Sequence, residues 1–420
     1  MDFDKTASIA LFVIAYACFV LFPRRRSVPA IVCAGALVAL FVITPVEAFW
    51  SVNWNVMGIF FGMLVLAELL MKSNMPAVLA EILVAKSPNA WAAMLVICAI
   101  SSAVSVFAEN VATVMLIAPI ALETARKLKV SPVMLLVAVA ISSNLQGTAT
   151  LIGDPPSMIL AGKTGMTFND FFVYRGRLSI FFFVEAGAVF SFFVLWLFFR
   201  KHKEALVLER HEKLESWTPS VFMATLIVAL VLSSYIDPQF LWLSGTVCMV
   251  WAAAGLTWYL VRHGQVTKLL SAFDWDTTFF LVGVFVLVET LTHVGCIAHI
   301  TGAIRSITGE SLAAQFFVLV TVSVVVSAFV DNVPYLVAMI PVAQDLATGP
   351  QQTLLLFGLL IASCIGGNMT PIGASANIVT VGYLRRQGHA VTFRTFMKLG
   401  VPFTVVATAA ASVFLWIVWG

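Results

Sequence analysis

A polar, helix-breaking stretch set inside apolar sequence occurs twice in this chain. The first copy, residues 143–157, reads SNLQGTATLIGDPPS, and the second, residues 363–377, reads SCIGGNMTPIGASAN. The two copies align at a constant spacing of 220 residues. Glycine and proline destabilise a helix and leave backbone groups without helical partners. The two stretches therefore predict interrupted helices at matching positions of two halves of the chain.

The sequence around these stretches has the composition of a membrane protein. It is 61% hydrophobic and 11% charged, whereas a soluble domain carries about 25% charged residues. Several windows have the length of about 20 residues that a helix needs to cross a bilayer. Inside a bilayer, the backbone groups freed by an interruption need partners from protein or water. Paired interruptions of this kind indicate the binding site of a secondary transporter.

Other polar positions repeat at nearly the same spacing. Trp54 matches Trp275, and Asn110 matches Asn332. We therefore predict an all-α polytopic membrane protein of two inverted repeats, 1–200 and 218–420. Each repeat has five spans, one of them broken, plus a re-entrant hairpin. The predicted elements of the first repeat are spans at 6–22, 28–46 and 54–71, an amphipathic piece at 75–86, a hairpin at 89–127, a broken span at 132–162 and a span at 178–200. Those of the second are spans at 218–236, 239–261 and 275–292, a hairpin at 312–347, a broken span at 353–384 and a span at 398–419.

The placement of basic residues predicts the orientation. Nineteen of the 24 Lys and Arg residues fall on one side of this topology, and Lys and Arg accumulate on cytoplasmic loops. The charged linker 201–217 is therefore predicted to be cytoplasmic, with both termini outside. Arg24–Arg26 follows the first apolar run, which is the reverse of the charge order in a cleavable signal peptide. We expect a multi-pass protein of the plasma (inner) membrane, in contact with the lipid bilayer.

Carboxyl groups within apolar segments are costly, and by default they mark ion or proton pathways. Glu68 and Glu289 are candidates, although they lie near span ends, where an interfacial position is the alternative. Half-helix N-termini would suit an anionic substrate, whereas oxygen ligands would suit a proton or a cation such as sodium. The predicted substrate- or ion-binding residues are Glu109, Asn110, Thr113, Ser143, Asn144, Thr148, Thr150 and Asp154 in the first half, and Asp331, Asn332, Ser363, Asn368, Thr370, Ser375 and Asn377 in the second.

Structural roles compete with these assignments. Ser and Thr in membrane helices commonly bond a backbone carbonyl, and the glycines of the motifs are expected to shape the loops. The six histidines lie outside the motifs, and the cysteines are scattered singly, so no metal centre of His or Cys is predicted. No pattern in the sequence resembles a catalytic nucleophile with its general base. We predict no cofactor, no nucleic-acid partner and no enzymatic activity.

The motifs resemble those of the ion transporter superfamily over nearly the whole chain. The likeness is greatest to the branch of arsenite permeases, D-type sodium/proton antiporters and the pink-eyed-dilution permease, with citrate and dicarboxylate carriers as more distant relatives. It implies two re-entrant hairpins, two broken helices, sites near the bilayer midplane and often a homodimer. The sequence departs from the family pattern at Glu109, Ser157 and Pro334. The residues that carry the likeness are Glu109-Asn110-Val111-Ala112-Thr113 with Pro119, residues 147–157, Asp331-Asn332-Val333-Pro334 and residues 367–377.

The leading functional hypothesis is a carrier of a small anion or of arsenite, coupled to protons or sodium. The alternatives are a sodium/proton antiporter and a dicarboxylate or citrate-type carrier, and a membrane enzyme is the hypothesis from another class. Glu109 has the longer side chain, and Pro334 stiffens the tip that carries Asp331. We therefore expect Glu109 to act as the proton carrier and Asp331 as a fixed ligand. Asn110 and Asn332 are expected to lie within reach of the motif loops.

Overall fold

The computed structural model describes residues 3–22, 25–204, 213–271, 273–295 and 297–420. Within these ranges the regular structure is helical apart from one short ribbon, in which β1 Val173–Tyr174 pairs antiparallel with β2 Arg177–Leu178. The centre of the predicted linker, 205–212, lies outside the described residues, as does Arg24.

The first half of the chain contains ten α-helices within the described residues. The two limbs of the predicted hairpin are separate helices, and the first motif lies between two further helices. The helices are α1 Phe3–Leu21, α2 Ser27–Ala39, α3 Pro45–Ser51, α4 Trp54–Lys72, α5 Met75–Ala85, α6 Ala90–Ser105, α7 Asn110–Lys127, α8 Pro132–Gly147, α9 Pro155–Thr164 and α10 Ile180–Phe199.

The described part of the second half contains ten more helices in a similar order. The second hairpin and the second motif again interrupt the helical run at the predicted positions. The helices are α11 Thr218–Ile236, α12 Leu243–His263, α13 Thr267–Leu270, α14 Trp275–His293, α15 Ile297–Thr308, α16 Leu312–Ser327, α17 Asn332–Leu346, α18 Gly349–Gly366, α19 Ser375–Arg386 and α20 Phe393–Trp419.

Seven helical segments in the described ranges are long and apolar enough to cross a membrane, namely α4, α10, α11, α12, α14, α18 with its 3₁₀ extension to Met369, and α20. α15 and α16 also pass this test together, but they are bent by 117°. The second predicted span, 28–46, is shorter than expected. α2 ends at Ala39, and Phe41 then adopts a left-handed conformation with φ 58°, which does not continue a right-handed helix. The chain is thus a polytopic helical membrane protein.

Helices of one half pack against helices of the other. α2 lies along α14, α4 lies along α12, and α10 lies along α20. Small residues allow these close approaches. A Cβ atom added to Gly62 would overlap the backbone of Cys248, and one added to Gly283 would overlap that of Ala30. This is the use of small residues typical of helix packing in membranes, where apolar burial gives little preference.

The first helix of each broken pair, α8 or α18, is the most buried helix of its half. α6 and α7 pack on α8, while α16 and α17 pack on α18. The second half of each broken pair crosses to the opposite hairpin, because α19 contacts α7 and α17 contacts α9. All residues of α8 from Leu135 to Gly147 are buried. This arrangement brings both interruptions and both hairpin tips together.

Candidate functional site

The four helices that follow the hairpin tips and the motif loops begin around one small cavity. They are α7 and α17, which follow the hairpin tips, and α9 and α19, which follow the motif loops. The free space is about 40 Å³, which is room for a few water molecules. A larger substrate therefore needs the walls to move apart. The polar residues that line the cavity are Arg26, Glu109, Asn110, Asn144, Asp154, Thr277, Asp331, Asn332 and Ser375.

Three of these helix N-termini carry a carboxylate cap from the residue that precedes the helix. Glu109 accepts a bond from the Ala112 amide at 3.4 Å. Asp331 accepts from Val333 N at 3.1 Å, and Asp154 accepts from Ser157 N at 3.2 Å. Acidic residues are favoured at this position because they satisfy free N–H groups and meet the positive end of the helix dipole.

The fourth helix, α19, begins without a side-chain cap. Its N-cap residue is Ala374, which has no side-chain acceptor. The first residue of α19, Ser375, lies on the cavity wall. The positive end of this helix dipole is therefore not neutralised by a carboxylate of its own cap.

A chain of buried amides joins the two halves behind the cavity. Asn110 receives a bond from Ser105 and donates to Asn144 Oδ1 at 3.2 Å. Asn144 in turn donates to Asn368 Oδ1 at 3.0 Å and to the Cys364 carbonyl at 2.9 Å. Asn368 donates back to the Ile141 carbonyl at 3.1 Å. A connected set of buried hydrogen bonds fixes the relative position of its members, so the two motif loops are held together here.

The motif threonines bond the backbone of the hairpin tips. Thr150 Oγ1 donates to the Val106 carbonyl at 2.7 Å, and Thr370 Oγ1 donates to the Ala328 carbonyl. The first residue of each motif also contacts the hairpin, through its hydroxyl in Ser143 and through its backbone carbonyl in Ser363. Ser143 bonds Ser105 Oγ at 3.0 Å, and the Ser363 carbonyl accepts from Ser327. Each hairpin tip is thus anchored to its own motif by hydroxyl–carbonyl contacts.

The remaining predicted residues lie behind the cavity wall. Thr148 is 3.5 Å from Asp154 Oδ2, and Asn377 donates to the Gly367 and Thr370 carbonyls at 3.0 and 2.9 Å. Thr113 is fully buried, and within the described residues its hydroxyl has no hydrogen-bond partner. Seven of the predicted residues line the cavity, namely Glu109, Asn110, Asn144, Asp154, Asp331, Asn332 and Ser375.

The two other acidic candidates are not on this cavity. Glu68 pairs with Lys72 one helical turn away at 3.3 Å. Glu289 pairs with Lys163 at 3.2 Å. Both Glu289 and Lys163 line a second cavity of about 420 Å³ near the C-terminal end of α14.

Sequence reasoning missed two charged residues near the site. Arg26 lies on the cavity wall and pairs with Asp331, although the sequence pattern placed it in a cytoplasmic cluster. The only sequence feature that could have indicated this role is the position of Arg26 beside the start of an apolar helix. Glu185 accepts a hydrogen bond from Gln146 of the first motif. Glu185 is an acidic residue within the apolar helix α10, so the rule that selected the other carboxylates could have found it.

A comparison with known proteins now identifies the kind of protein to which this site belongs. Residues 16–362 match the model of a family described as citrate transporter. The chain belongs to the citrate transporter family. This confirms the resemblance to the ion transporter superfamily, and it makes the chain a transporter rather than an enzyme.

Relatives of this citrate transporter family member cover most of its length. It is 29% identical to an uncharacterized transporter of Mycobacterium tuberculosis over 98% of each chain. It is 25% identical to the P protein of Homo sapiens over 87% of this chain and 53% of that protein. The crystal structure of the YdaH transporter of Alcanivorax borkumensis is similar, with a TM-score of 0.62, 15% identity and coverage of 91% of this chain and 89% of that one. This last likeness shows a shared fold.

Proposed function

We propose that the protein is a secondary transporter that moves a small anion or arsenite, coupled to protons or sodium. The observation that carries this proposal is the convergence of four helix N-termini on one cavity, three of them with carboxylate caps. Helix N-termini attract negative charge. Carboxylates at the same place repel it until they bind protons or cations. Binding of a cation or a proton would therefore favour entry of an anion, and this dependence would couple the two fluxes.

A sodium/proton antiporter is the second candidate, and the charge balance favours it. The cavity is lined by the carboxyl groups of Glu109, Asp154 and Asp331 and by one guanidinium group, that of Arg26. Such an excess of carboxyl groups binds cations or protons without any anion. Among anion substrates, a citrate or dicarboxylate remains a candidate because of the family to which the chain belongs.

The finer architecture is also a proposal. We infer two inverted repeats, 1–200 and 218–420, joined by a cytoplasmic linker at 201–217, with re-entrant hairpins and both termini outside the plasma membrane. The reciprocal packing of α2 on α14 and of α4 on α12 supports this arrangement, and the family resemblance supports a homodimer. Cysteines introduced at position 208 and at the C-terminus should react with impermeant reagents from opposite sides of the membrane. Labelling from the same side would contradict the inverted arrangement.

Flux measurements on the full chain in proteoliposomes test the function. Uptake of radiolabelled citrate and of arsenite is measured with an inward sodium gradient, with an inward proton gradient and with neither. We expect one gradient to stimulate uptake of at least one of the two probes. Sodium-dependent proton flux without any anion, and no uptake of either probe, would instead establish the antiporter.

The two carboxylates at the hairpin tips provide the variants for this assay. Glu109→Gln is expected to flatten the pH dependence of transport while substrate binding is retained, because Glu109 is the proposed proton carrier. Asp331→Asn is expected to weaken binding at every pH. A wild-type pH profile in Glu109→Gln would remove Glu109 from proton coupling.

A further inference from the structure

Arg26 reaches the second hairpin tip from a distant part of the sequence. It lies between α1 and α2, and its Nη1 atom forms an ion pair with Asp331, 305 residues away. The side chains are only 11% and 16% exposed. Nη2 lies 3.4 Å from Thr277 Oγ1 and 3.5 Å from Ser375 Oγ, and the guanidinium carbon is 5.0 Å from the centre of the Phe280 ring.

The backbone also holds Arg26 in place. Asp276, at the start of α14, accepts hydrogen bonds from the backbone N–H groups of Arg26 and Ser27 at 3.1 and 3.2 Å. The backbone of Arg26 is therefore held in place, and the guanidinium group is buried against an aromatic ring. This is a positioned charge and not a mobile surface side chain.

The matching part of the other half has no such cation. Asn55 corresponds to Asp276 and holds the start of α12 in the same way, because it accepts from Gly245 N at 2.7 Å and donates to the Phe240 carbonyl at 2.9 Å. The segment 237–242 that precedes α12 contains no Lys or Arg. Among the described residues, no basic side chain forms a salt bridge with Glu109 or Asp154. The carboxylate of the first tip thus has no salt bridge of its own within the described residues.

A buried carboxylate needs a compensating charge or a proton. Around the Arg26 guanidinium stand a carboxylate and two hydroxyl oxygens, from Asp331, Thr277 and Ser375, and oxygen atoms of these kinds also bind hard cations. We propose that Arg26 is a resident counter-cation that occupies the cation position of the second tip, so that uptake of the coupling proton or sodium is confined to the first tip. Arg26 is then a residue that determines the number of coupling ions, and this inference rests on the proposed function.

Thermal unfolding of the purified full chain in detergent tests this role without any substrate. Arg26→Gln leaves Asp331 uncompensated, so its Tm should be lowered in sodium-free neutral buffer and should rise towards the wild-type value on addition of NaCl or on acidification. Arg26→Gln/Asp331→Asn should lose this additional response. Arg26→Lys should stay close to wild type, and Arg25→Gln, which removes an exposed neighbouring charge, is the matched control.

The wild type and the double variant are needed because other groups near Arg26 also titrate. Their responses are present in every variant, so only the difference between Arg26→Gln and the double variant reports on Asp331. The charged and titratable groups that face this position are Tyr16, Glu109, Asp154, Asp274, Asp276 and Tyr335.

Two outcomes would overturn the proposal. A Tm of Arg26→Gln that is lowered equally at all sodium concentrations and pH values would make the ion pair merely structural. An additional response that persists in Arg26→Gln/Asp331→Asn would place the new cation elsewhere. Should Arg26→Gln fail to fold, a double variant that folds and responds to sodium and acid like the wild type supports the proposal, whereas a double variant that responds more strongly contradicts it.

Transport provides a second readout. The initial rate of flux is measured as a function of the coupling-ion concentration, with the probe that the wild type takes up. Arg26→Gln should show a steeper dependence of initial rate on the coupling ion, because one more ion must bind. The double variant is expected to bind more weakly, because it lacks the Asp331 carboxylate, but the steepness of its dependence on the coupling ion should return to the wild-type value. Equal steepness in the wild type and Arg26→Gln would contradict the inference. Absence of flux in the wild type would contradict the proposed function and would leave the unfolding experiment valid.

Discussion

The two hairpin tips have the same local construction and different surroundings. In each, a carboxylate caps the next helix, an asparagine follows it, and a motif threonine bonds the tip backbone. Yet Asp331 is paired with Arg26, whereas Glu109 has no salt bridge within the described part of the chain. Asn110 is buried in the amide network that joins the halves. Asn332 lines the cavity, and its side chain has no hydrogen bond among the described residues.

Two copies of one repeated sequence can thus have different charge environments. The local contacts come from the tip and its motif, which repeat, and so both tips fold alike. The charge partner comes from the α1–α2 connection, whose counterpart before α12 has no basic residue. We therefore propose that the first tip exchanges a proton or cation, whereas the second keeps its charge fixed.

The largest expected effect comes from breaking the buried ion pair. Asp331→Asn leaves the Arg26 guanidinium buried without its counter-charge, which typically costs about 3–5 kcal/mol. Glu109→Gln removes only a 3.4 Å cap contact and should cost about 1 kcal/mol. Unfolding of both variants in detergent by heat or denaturant measures the difference. Equal losses would show that the two tips do not differ in charge compensation.

The two motif loops, unlike the two hairpin tips, should respond alike to the same substitution. A Cβ atom on Gly153 would overlap the Gly147 carbonyl oxygen, and one on Gly373 would overlap that of Gly367. Gly153→Ala and Gly373→Ala should each cost about 1–3 kcal/mol by overpacking. Gly382→Ala, in α19 with open space around it, is the control and should not be destabilising, because alanine favours a helix more than glycine does. A large loss in one loop only would mean that the loops are not equivalent.

The asparagines that follow the caps should separate folding from transport. Asn110→Ala removes the acceptor of the buried Ser105 hydroxyl and the donor to Asn144 Oδ1, at a cost of about 1–3 kcal/mol, and should abolish transport. Asn332→Ala should abolish transport with little loss of stability, because its side chain faces the cavity. Flux and unfolding are measured on the same preparations. A transport-competent Asn332→Ala would exclude the second tip from the substrate path.

The smallest effect is expected in the connection before α12. Burial alone would raise the pKa of Asp237, but three backbone N–H donors, from Leu241, Trp242 and Leu243, lower it below its usual value. A carboxyl whose pKa is lowered on folding stabilises the protein above its unfolded pKa, and that contribution is lost as the pH falls through the folded pKa. Asp237→Asn should therefore be slightly less stable than wild type at neutral pH and equally stable in strong acid. A difference that is constant with pH would rule out this local role.

Much of the fold could be predicted from the sequence. Low charge and long apolar runs predict membrane helices, and glycine and proline predict the breaks at 147–155 and 366–375, because these effects act over a few residues. The helix caps could also have been predicted, because a carboxylate immediately before a helix bonds N–H groups only two or three residues away. Glu109, Asp154 and Asp331 were selected for their cost in an apolar segment, and all three line the cavity.

Which distant groups meet depends on the tertiary packing. Many polar residues could satisfy a buried carboxylate, and the sequence does not state which one packs beside it. The packing of α2 on α14 brings Arg26 to Asp331, and the contact of the two motif loops joins Asn144 to Asn368. The helices, their interruptions and the candidate carboxylates thus follow from local features of the sequence. The pairing of charges across the two halves depended on tertiary packing, because a buried charge is compensated by spatial neighbours and not by neighbours in the sequence.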